Sequence, residues 1–454
     1  MDKQFIKKHG PNRREFIGKT GMGLLVGTAF NRGVGLAETN RTPDSDRYQS
    51  VSINTHEWNG DIAERLDLPK GWDVKTHHIA GYQSPILTKE DIRDRLQNPI
   101  NALPLREIAA GKKTAVITFD DSSRATPSNE IAPVVVEELK AGGIKDENIL
   151  FIAMVGSHRP LSQNEARAKL GGIVDKYPWI NHNPHDNFVD RGLTTQGNHV
   201  KLNHYFMQAD VKVTMSGIKK HGAGYSGGAK AILPGLSWIN TITYMHEELK
   251  FGGLGNIHHN EVRACMEEAA RKSDLDFSIN TIMNENRRPI GMHAGDVVDA
   301  FRSAAKDAAG KYATEMGKDA DVVIANSYPM SIQETGFGFA NRSLKEGGTA
   351  VVIWQSPRAK ASMHYWAERR EFDGDSYWQN IDQKDPVQKA GKIILYSQYV
   401  QRRDTINYPD GRVTVARTWD DVLAMLEEEH TESTKAIIYP WAGYQHGPIE
   451  IDTL

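Results

Sequence analysis

The chain has a single cysteine, Cys265, among 454 residues, so no intramolecular disulfide can form. Cys265 lies in Asn260-Glu-Val-Arg-Ala-Cys-Met-Glu-Glu-Ala-Ala, where Val262, Cys265, Met266 and Ala269 recur at helical spacing. It reads as a small buried hydrophobe rather than a reactive thiol. A long hydrophobic run is also missing. The apolar stretch Met22–Phe30 is too short and too glycine-rich to span a bilayer, and no other segment is a better candidate. Positive charge is not in excess: the formal net charge is −3. No basic stripe is interleaved with aromatics, so a nucleic-acid partner is not expected. There is no internal repeat and no low-complexity block. What remains is an ordinary globular composition, 39% hydrophobic and 25% charged, long enough for two or three domains.

The first 37 or so residues read as a targeting segment rather than as fold. Asn12-Arg-Arg-Glu-Phe-Ile-Gly-Lys19 places an arginine pair before the weakly apolar run, and Gly35-Leu-Ala37 supplies small residues for cleavage. The order resembles a bacterial twin-arginine export signal; a basic, disordered N-terminus is the plain alternative. The resemblance implies passage through the twin-arginine export machinery as a folded protein, with a cofactor already loaded, and a periplasmic location. Residues 38–60 are polar and read as a tail or arm.

From about Trp72 onward, strand-like and helix-like segments alternate. Thr114–Phe119, Asn148–Val155 and Asp210–Met215 read as strands, and Ser128 as the cap of a helix lined by Ile131, Val134, Val135 and Leu139. A second set follows Gly295. Asp296 caps a helix over Val297–Ala309, Val322–Ala325, Thr349–Trp354, Lys392–Tyr396 and Lys435–Tyr439 read as strands, and Trp419–Glu429 as a helix. Strands alternating with helices predict an α/β protein with two α/β domains and mainly parallel sheets. The expected division is 38–290 and 291–429, with a ligand cleft between the domains. Whether residues 430–454 return to the first domain is left open.

Ligands in open α/β sheets bind beyond the carboxyl ends of strands. Three polar motifs follow predicted strands here. Asp120-Asp-Ser-Ser-Arg-Ala-Thr-Pro127 joins a strand to a helix, where free N–H groups favour anions. In it, Arg124 can fork onto a carboxylate or phosphate, Asp121 can accept from ribose hydroxyls, and Ser122, Ser123 and Thr126 add donors. Gly156-Ser-His158-Arg-Pro160 places a histidine at a strand end, suited to proton transfer. The third is His221-Gly-Ala-Gly-Tyr-Ser-Gly-Gly-Ala-Lys230-Ala-Ile-Leu-Pro-Gly235, with five glycines in fifteen residues. So much glycine is costly to order and fits backbone that must approach a ligand closely. Lys230 can serve as an attachment point, a phosphate contact or a Schiff-base former. Gly222-x-Gly224-x-x-Gly227 matches the dinucleotide fingerprint only formally, because Pro234-Gly235 interrupts the helix that should follow. Helical spacing puts Ile239, Ile242 and His246 on one face of Ser237–Lys250, making His246 either a core histidine or a ligand.

Taken together, Asp121-x-x-Arg124-x-x-Pro127, Gly156-x-His158-Arg-Pro, Ser226-Gly-Gly-x-Lys230-x-x-x-Pro-Gly235 and His246 resemble the nickel-pincer-dependent lactate racemase family. The resemblance covers about residues 70–450. It implies a racemase or epimerase of 2-hydroxy acids carrying a pyridinium-3,5-bisthiocarboxylic acid mononucleotide–nickel cofactor, built by dedicated cofactor biosynthesis proteins. Lys230 matches the attachment lysine, His246 the nickel ligand, Asp121 a cofactor-contacting position and Arg124 the holder of the substrate carboxylate. Ser123, Ser226, Gly227 and Gly228 fall among the cofactor-contacting positions. His158 matches one of two catalytic histidines, which exchange the 2-hydroxyl proton while a hydride moves to and from the cofactor.

Two departures stand out. The second catalytic histidine of the family lies ten residues before the lysine, where this chain has Lys220; His221 lies nine before. Either residue can be the second base, and His221 has the more suitable ordinary pKa. The family's Tyr-Gln-x-x-Lys substrate segment falls near Ser331-Ile-Gln-Glu-Thr-Gly-Phe-Gly338, which lacks both tyrosine and lysine. This points away from lactate toward another 2-hydroxy acid, such as a sugar acid, or to loss of activity. Two rival readings are a Schiff-base lysine enzyme and a non-catalytic binding protein of the same fold. His182 and His185, and the pair His258-His259, read as turn residues.

Overall fold

In a computed structural model, residues 46–56, 62–329, 334–356, 383–405 and 408–453 are described. The arginine-pair segment lies outside them, as do residues 331–333 of the altered substrate segment. The stretch Ser45–Leu454 forms one compact unit. No helix among the described residues is long and apolar enough to cross a membrane.

The chain is an α/β protein built on two six-stranded sheets. The first runs, in spatial order, Pro289–Gly295, Phe277–Met283, Val211–Gly217, Ala115–Phe119, Ile149–Ala153 and Trp179–Asn181. Every neighbouring pair is parallel except the first, which is antiparallel. The second runs Thr414–Ala416, Ala390–Tyr396, Leu344–Ile353, Ala320–Asn326, Lys435–Tyr439 and Asp73–Thr76, all parallel. Central strands are buried because helices cover both faces of a parallel sheet. Ala115–Phe119 and Val211–Gly217 are buried at every position. Helix Ser128–Ala141 packs Ile131, Val134, Val135 and Leu139 against the first sheet's core. On its other face, helix Glu261–Lys272 buries Val262, Cys265, Met266 and Ala269, as the spacing predicts.

The expected polar arm is partly a hairpin. Tyr48–Thr55 pairs antiparallel with Ile62–Pro69, and Ile53, Leu66 and Leu68 are buried against the second sheet. Two expected caps also shift. Ser128 is the first helical residue, with Pro127 at the cap position. The helix after Gly295 spans Asp299–Lys311, and Asp296 accepts from the N–H groups of Val298 and Asp299.

Candidate functional site

Three adjacent parallel strands of the first sheet, Val211–Gly217, Ala115–Phe119 and Ile149–Ala153, end on the same side. The three polar motifs therefore meet, as the general rule for such sheets requires. They line a cleft whose walls include Asp121, Arg124, His158, Ser226, Gly227, Lys230 and His246.

In the first loop, Ser123 hydroxyl donates to Asp121 at 2.5 Å and accepts from the Arg124 guanidinium at 2.7 Å. The other Asp121 oxygen accepts from Nδ1 of His158. Burial alone would raise the Asp121 carboxyl; the stronger combined pull of His158, Arg124 and Ser123 holds it well below the usual carboxylate range. The carboxylate orients the His158 ring through Nδ1, the arrangement of an oriented general base.

The glycine loop takes its shape from backbone that other residues resist. Gly227 and Gly228 have φ of +99° and +57°. A Cβ on Gly227 would lie 2.5 Å from Ile218, and one on Gly228 2.7 Å from Phe301. Arg263 is buried beneath this loop. Its guanidinium donates to the carbonyls of Ala223 at 3.1 Å and Gly227 at 3.2 Å, and to that of Tyr225, while resting 3.9 Å from the centre of the Phe301 ring. The loop presents Lys230 in an enclosed setting. Desolvation, reinforced by Arg124 and Arg263, lowers the Lys230 amine well below its ordinary value. A neutral amine is the nucleophilic form that covalent attachment needs.

His246 stands on helix Ile239–Glu247 with Ile239 and Ile242 buried beside it. Its Nδ1 lies 2.8 Å from the carbonyl oxygen of Ile242. Desolvation and the nearby Lys230 push its pKa down to about 4. At neutral pH it is an uncharged imidazole with its lone pair on Nε2, the state a metal ligand requires.

His221 differs from His158. Its Nδ1 accepts from the Ala223 N–H at 3.0 Å, so the ring proton sits on Nε2. Burial, then Lys230, Arg124, Lys219 and Arg263, hold its pKa well below the ordinary value. Protonating this ring would break the Ala223 contact, which makes His221 the weaker base. The Phe251 ring lies 5.8 Å from His221 and 6.0 Å from His246, joining both to one apolar wall. Lys220 turns toward the C-terminal segment instead. Its Nζ donates to the carbonyls of Ala442 at 2.5 Å and Gln445 at 2.9 Å and sits 4.7 Å from the Phe339 ring centre. Desolvation lowers it to about 7.

Ser226 Oγ accepts from the Lys219 N–H at 3.0 Å and donates to the Gly217 carbonyl at 2.9 Å, so it shapes the loop. His182 is a core histidine, bonded to Ser237 O at 2.9 Å and Asn203 at 3.1 Å. The backbone N–H groups of Ile257, His258 and His259 all donate to Asp452. No cluster of three or more metal-ligating side chains occurs among the described residues.

The two most completely buried cations lie outside the polar motifs of the sequence: Arg263, and Lys169, whose ammonium meets Asp120 at 2.6 Å. Both carry a signal in the sequence. Arg263 shares its helix stripe with Met266 and Ala270, and Lys169 with Ala166. A cation at an apolar stripe position must find a buried partner.

Comparison with known proteins fits this architecture. Residues 60–252 match the lactate racemase N-terminal domain. The chain is 30% identical over 288 residues to the lactate racemase of Lactiplantibacillus plantarum, covering 60% of this chain and 68% of that protein. It is 29% identical over 330 residues to the lactate racemase of Thermoanaerobacterium thermosaccharolyticum, covering 69% of this chain and 74% of that one. The fold is similar to that of the T. thermosaccharolyticum lactate racemase apoprotein, with TM-score 0.63 at 21% identity over 88% of this chain and 99% of that chain. A Thermotoga maritima protein is also similar in fold, with TM-score 0.56 at 15% identity over 80% of this chain and 99% of that one. Fold and sequence thus define an α/β protein of the racemase class. The chain belongs to the lactate racemase family.

Proposed function

We propose that this protein inverts the 2-carbon of a 2-hydroxy acid other than lactate, using a nickel-pincer nucleotide tethered to Lys230. The observation that carries the reading is the convergence, in one cleft, of Lys230, whose amine pKa is pushed well below its ordinary value, and His246, whose ring pKa is pushed down to about 4. The donor set fits the group. Lys230 would carry the covalent link, His246 Nε2 would face nickel, and the Gly227–Gly228 turn provides close backbone approach. When bound, the cofactor supplies a hydride acceptor at the substrate carbon.

The chain's own residues do the rest. Arg124 holds the substrate carboxylate. His158, oriented by Asp121, takes the 2-hydroxyl proton at Nε2 and returns it. His221 serves the other enantiomer by releasing its Ala223 contact, while the bonds Lys220 makes to two carbonyls favour a holding role for it. The Phe251 wall helps to exclude water. The changed segment 331–338 supports a substrate different from lactate. The N-terminal arginine motif supports loading in the cytoplasm, followed by twin-arginine export to the periplasm.

The test is the intact mass and nickel content of protein purified from its native host, with peptide mapping. A mass excess on Lys230 with about one nickel per chain supports the reading and directs a screen of 2-hydroxy acids. An unmodified, metal-free chain from a host shown to make the cofactor rejects it. Borohydride trapping on Lys230 would then assign Schiff-base chemistry.

A further inference from the structure

The peptide unit joining Arg124 to Ala125 is held at both ends. Its carbonyl oxygen accepts from Nζ of Lys169 at 3.1 Å, and its N–H donates to the hydroxyl of Tyr444 at 3.1 Å. The two holders come from distant parts of the chain. Lys169 belongs to helix Gln163–Leu170, whereas Tyr444 follows Lys435–Tyr439, a strand of the second sheet.

Each holder is itself fixed. Lys169 is completely buried and ion-paired with Asp120 at 2.6 Å. The second Asp120 oxygen accepts from the Thr126 hydroxyl at 2.5 Å and from the Gly217 N–H at 3.2 Å. One buried ion pair thus ties the Arg124 loop to the end of the neighbouring strand. Tyr444 is completely buried, and its ring stacks on Trp441 with centroids 4.3 Å apart and planes 14° apart. Neither group can shift without repacking its surroundings.

A peptide plane fixed through both its oxygen and its hydrogen leaves little freedom to rotate. The direction in which the Arg124 side chain leaves the backbone is then fixed as well. We propose that Lys169 and Tyr444 are positioning residues for Arg124, aiming its guanidinium at the carboxylate of the substrate. This rests on the reading of Arg124 given under Proposed function. It assigns to the second sheet a part in substrate binding, through one hydroxyl group.

The test uses holoprotein and two probes: oxalate, whose binding is measured by calorimetry, and the 2-hydroxy acids of the screen. Tyr444→Phe removes one oxygen and keeps the ring stack. The paired change Lys169→Met with Asp120→Asn removes the other holder without stranding a charge. Arg124→Ala is the reference for loss of the anion contact. Each holder variant should weaken oxalate binding about fivefold, the effect of one lost hydrogen bond. KM should rise by a similar factor, kcat should stay within about twofold, and nickel and the Lys230 adduct should be retained. A role in folding alone would lower thermal stability without this split between KM and kcat. Oxalate affinity and KM unchanged in both variants would overturn the proposal. So would oxalate binding that is absent or that survives Arg124→Ala. Oxalate binding that depends on Arg124 and weakens in the holder variants, with no hydroxy acid turned over, would keep the positioning and reject the racemase reading.

Discussion

Nδ1 of His246 donates to the carbonyl of Ile242, one turn earlier in the same helix, at 2.8 Å. That bond fixes the tautomer, and burial keeps the ring neutral. The side chain is prepared for a metal before any metal arrives. His246→Ala should therefore lose nickel while keeping the organic adduct on Lys230. Metal analysis and intact mass on the same sample check this. Loss of both together would show that His246 holds the organic group as well.

Asp121 and His158 should act as a unit. Asp121→Asn removes the carboxylate that orients Nδ1 of His158. Exchange of the substrate Cα hydrogen should slow by about 10²-fold or more, the usual range for losing an oriented acid–base group. Hydrogen exchange followed by NMR measures this.

The two candidates for the second base separate by their contacts. His221→Ala should slow hydrogen exchange from one enantiomer. Lys220→Met should chiefly lower thermal stability, because Nζ secures the carbonyls of Ala442 and Gln445. The opposite pattern would assign the base to Lys220. Stopped-flow or NMR exchange from each pure enantiomer, beside a melting curve, distinguishes them.

Gly228→Ala should destabilise the protein by about 1–3 kcal/mol and reduce the fraction of chains carrying the Lys230 adduct. The residue has φ of +57°, and a Cβ there would lie 2.7 Å from Phe301. Gly111→Ala, at φ +74° with nothing within 4 Å, reports the backbone cost alone. Urea melts of the two variants isolate the clash, and intact mass reads the adduct.

Stability should fall as the pH drops from about 6.5 to about 4. His182 is held neutral by burial, with its pKa lowered to about 4. Over that interval the unfolded chain binds a proton that the folded chain refuses, so stability is full above the unfolded pKa and declines below it. His182→Gln should flatten the slope, and the other histidines lowered by burial, His221 and His246 foremost, should supply what remains. Melting temperature against pH, for both proteins, checks the sign.

Much of this was legible in the sequence, for identifiable reasons. Ala115–Phe119 announces itself because a strand buried on both faces is largely apolar, and Val211–Gly217 by Val211, Val213 and Met215 at alternate positions. With Ile149–Ala153 between them in the chain, each strand followed by a polar loop, they place Asp121, His158 and Lys230 together. Tyr48–Thr55 was hidden because only alternate residues are apolar, with Val51 and Ile53 among serines and asparagine. Lys169, Arg263 and Tyr444 were hidden for another reason. Periodicity identifies the stripe that faces inward, but not the partner a buried polar group will find there. The Tyr444 contact spans 319 residues and has no local signature.

Among the described residues, the strand Asp73–Thr76 pairs only with Lys435–Tyr439, which is made far later. During synthesis the early strand must wait, both edges unpaired, until that later strand has emerged. A ribosome-bound intermediate would thus expose a ready pairing edge, and its length of exposure grows with translation time. Chains stalled or truncated before residue 435 would keep that edge open, and recombining separately made halves would have to supply the strand in trans.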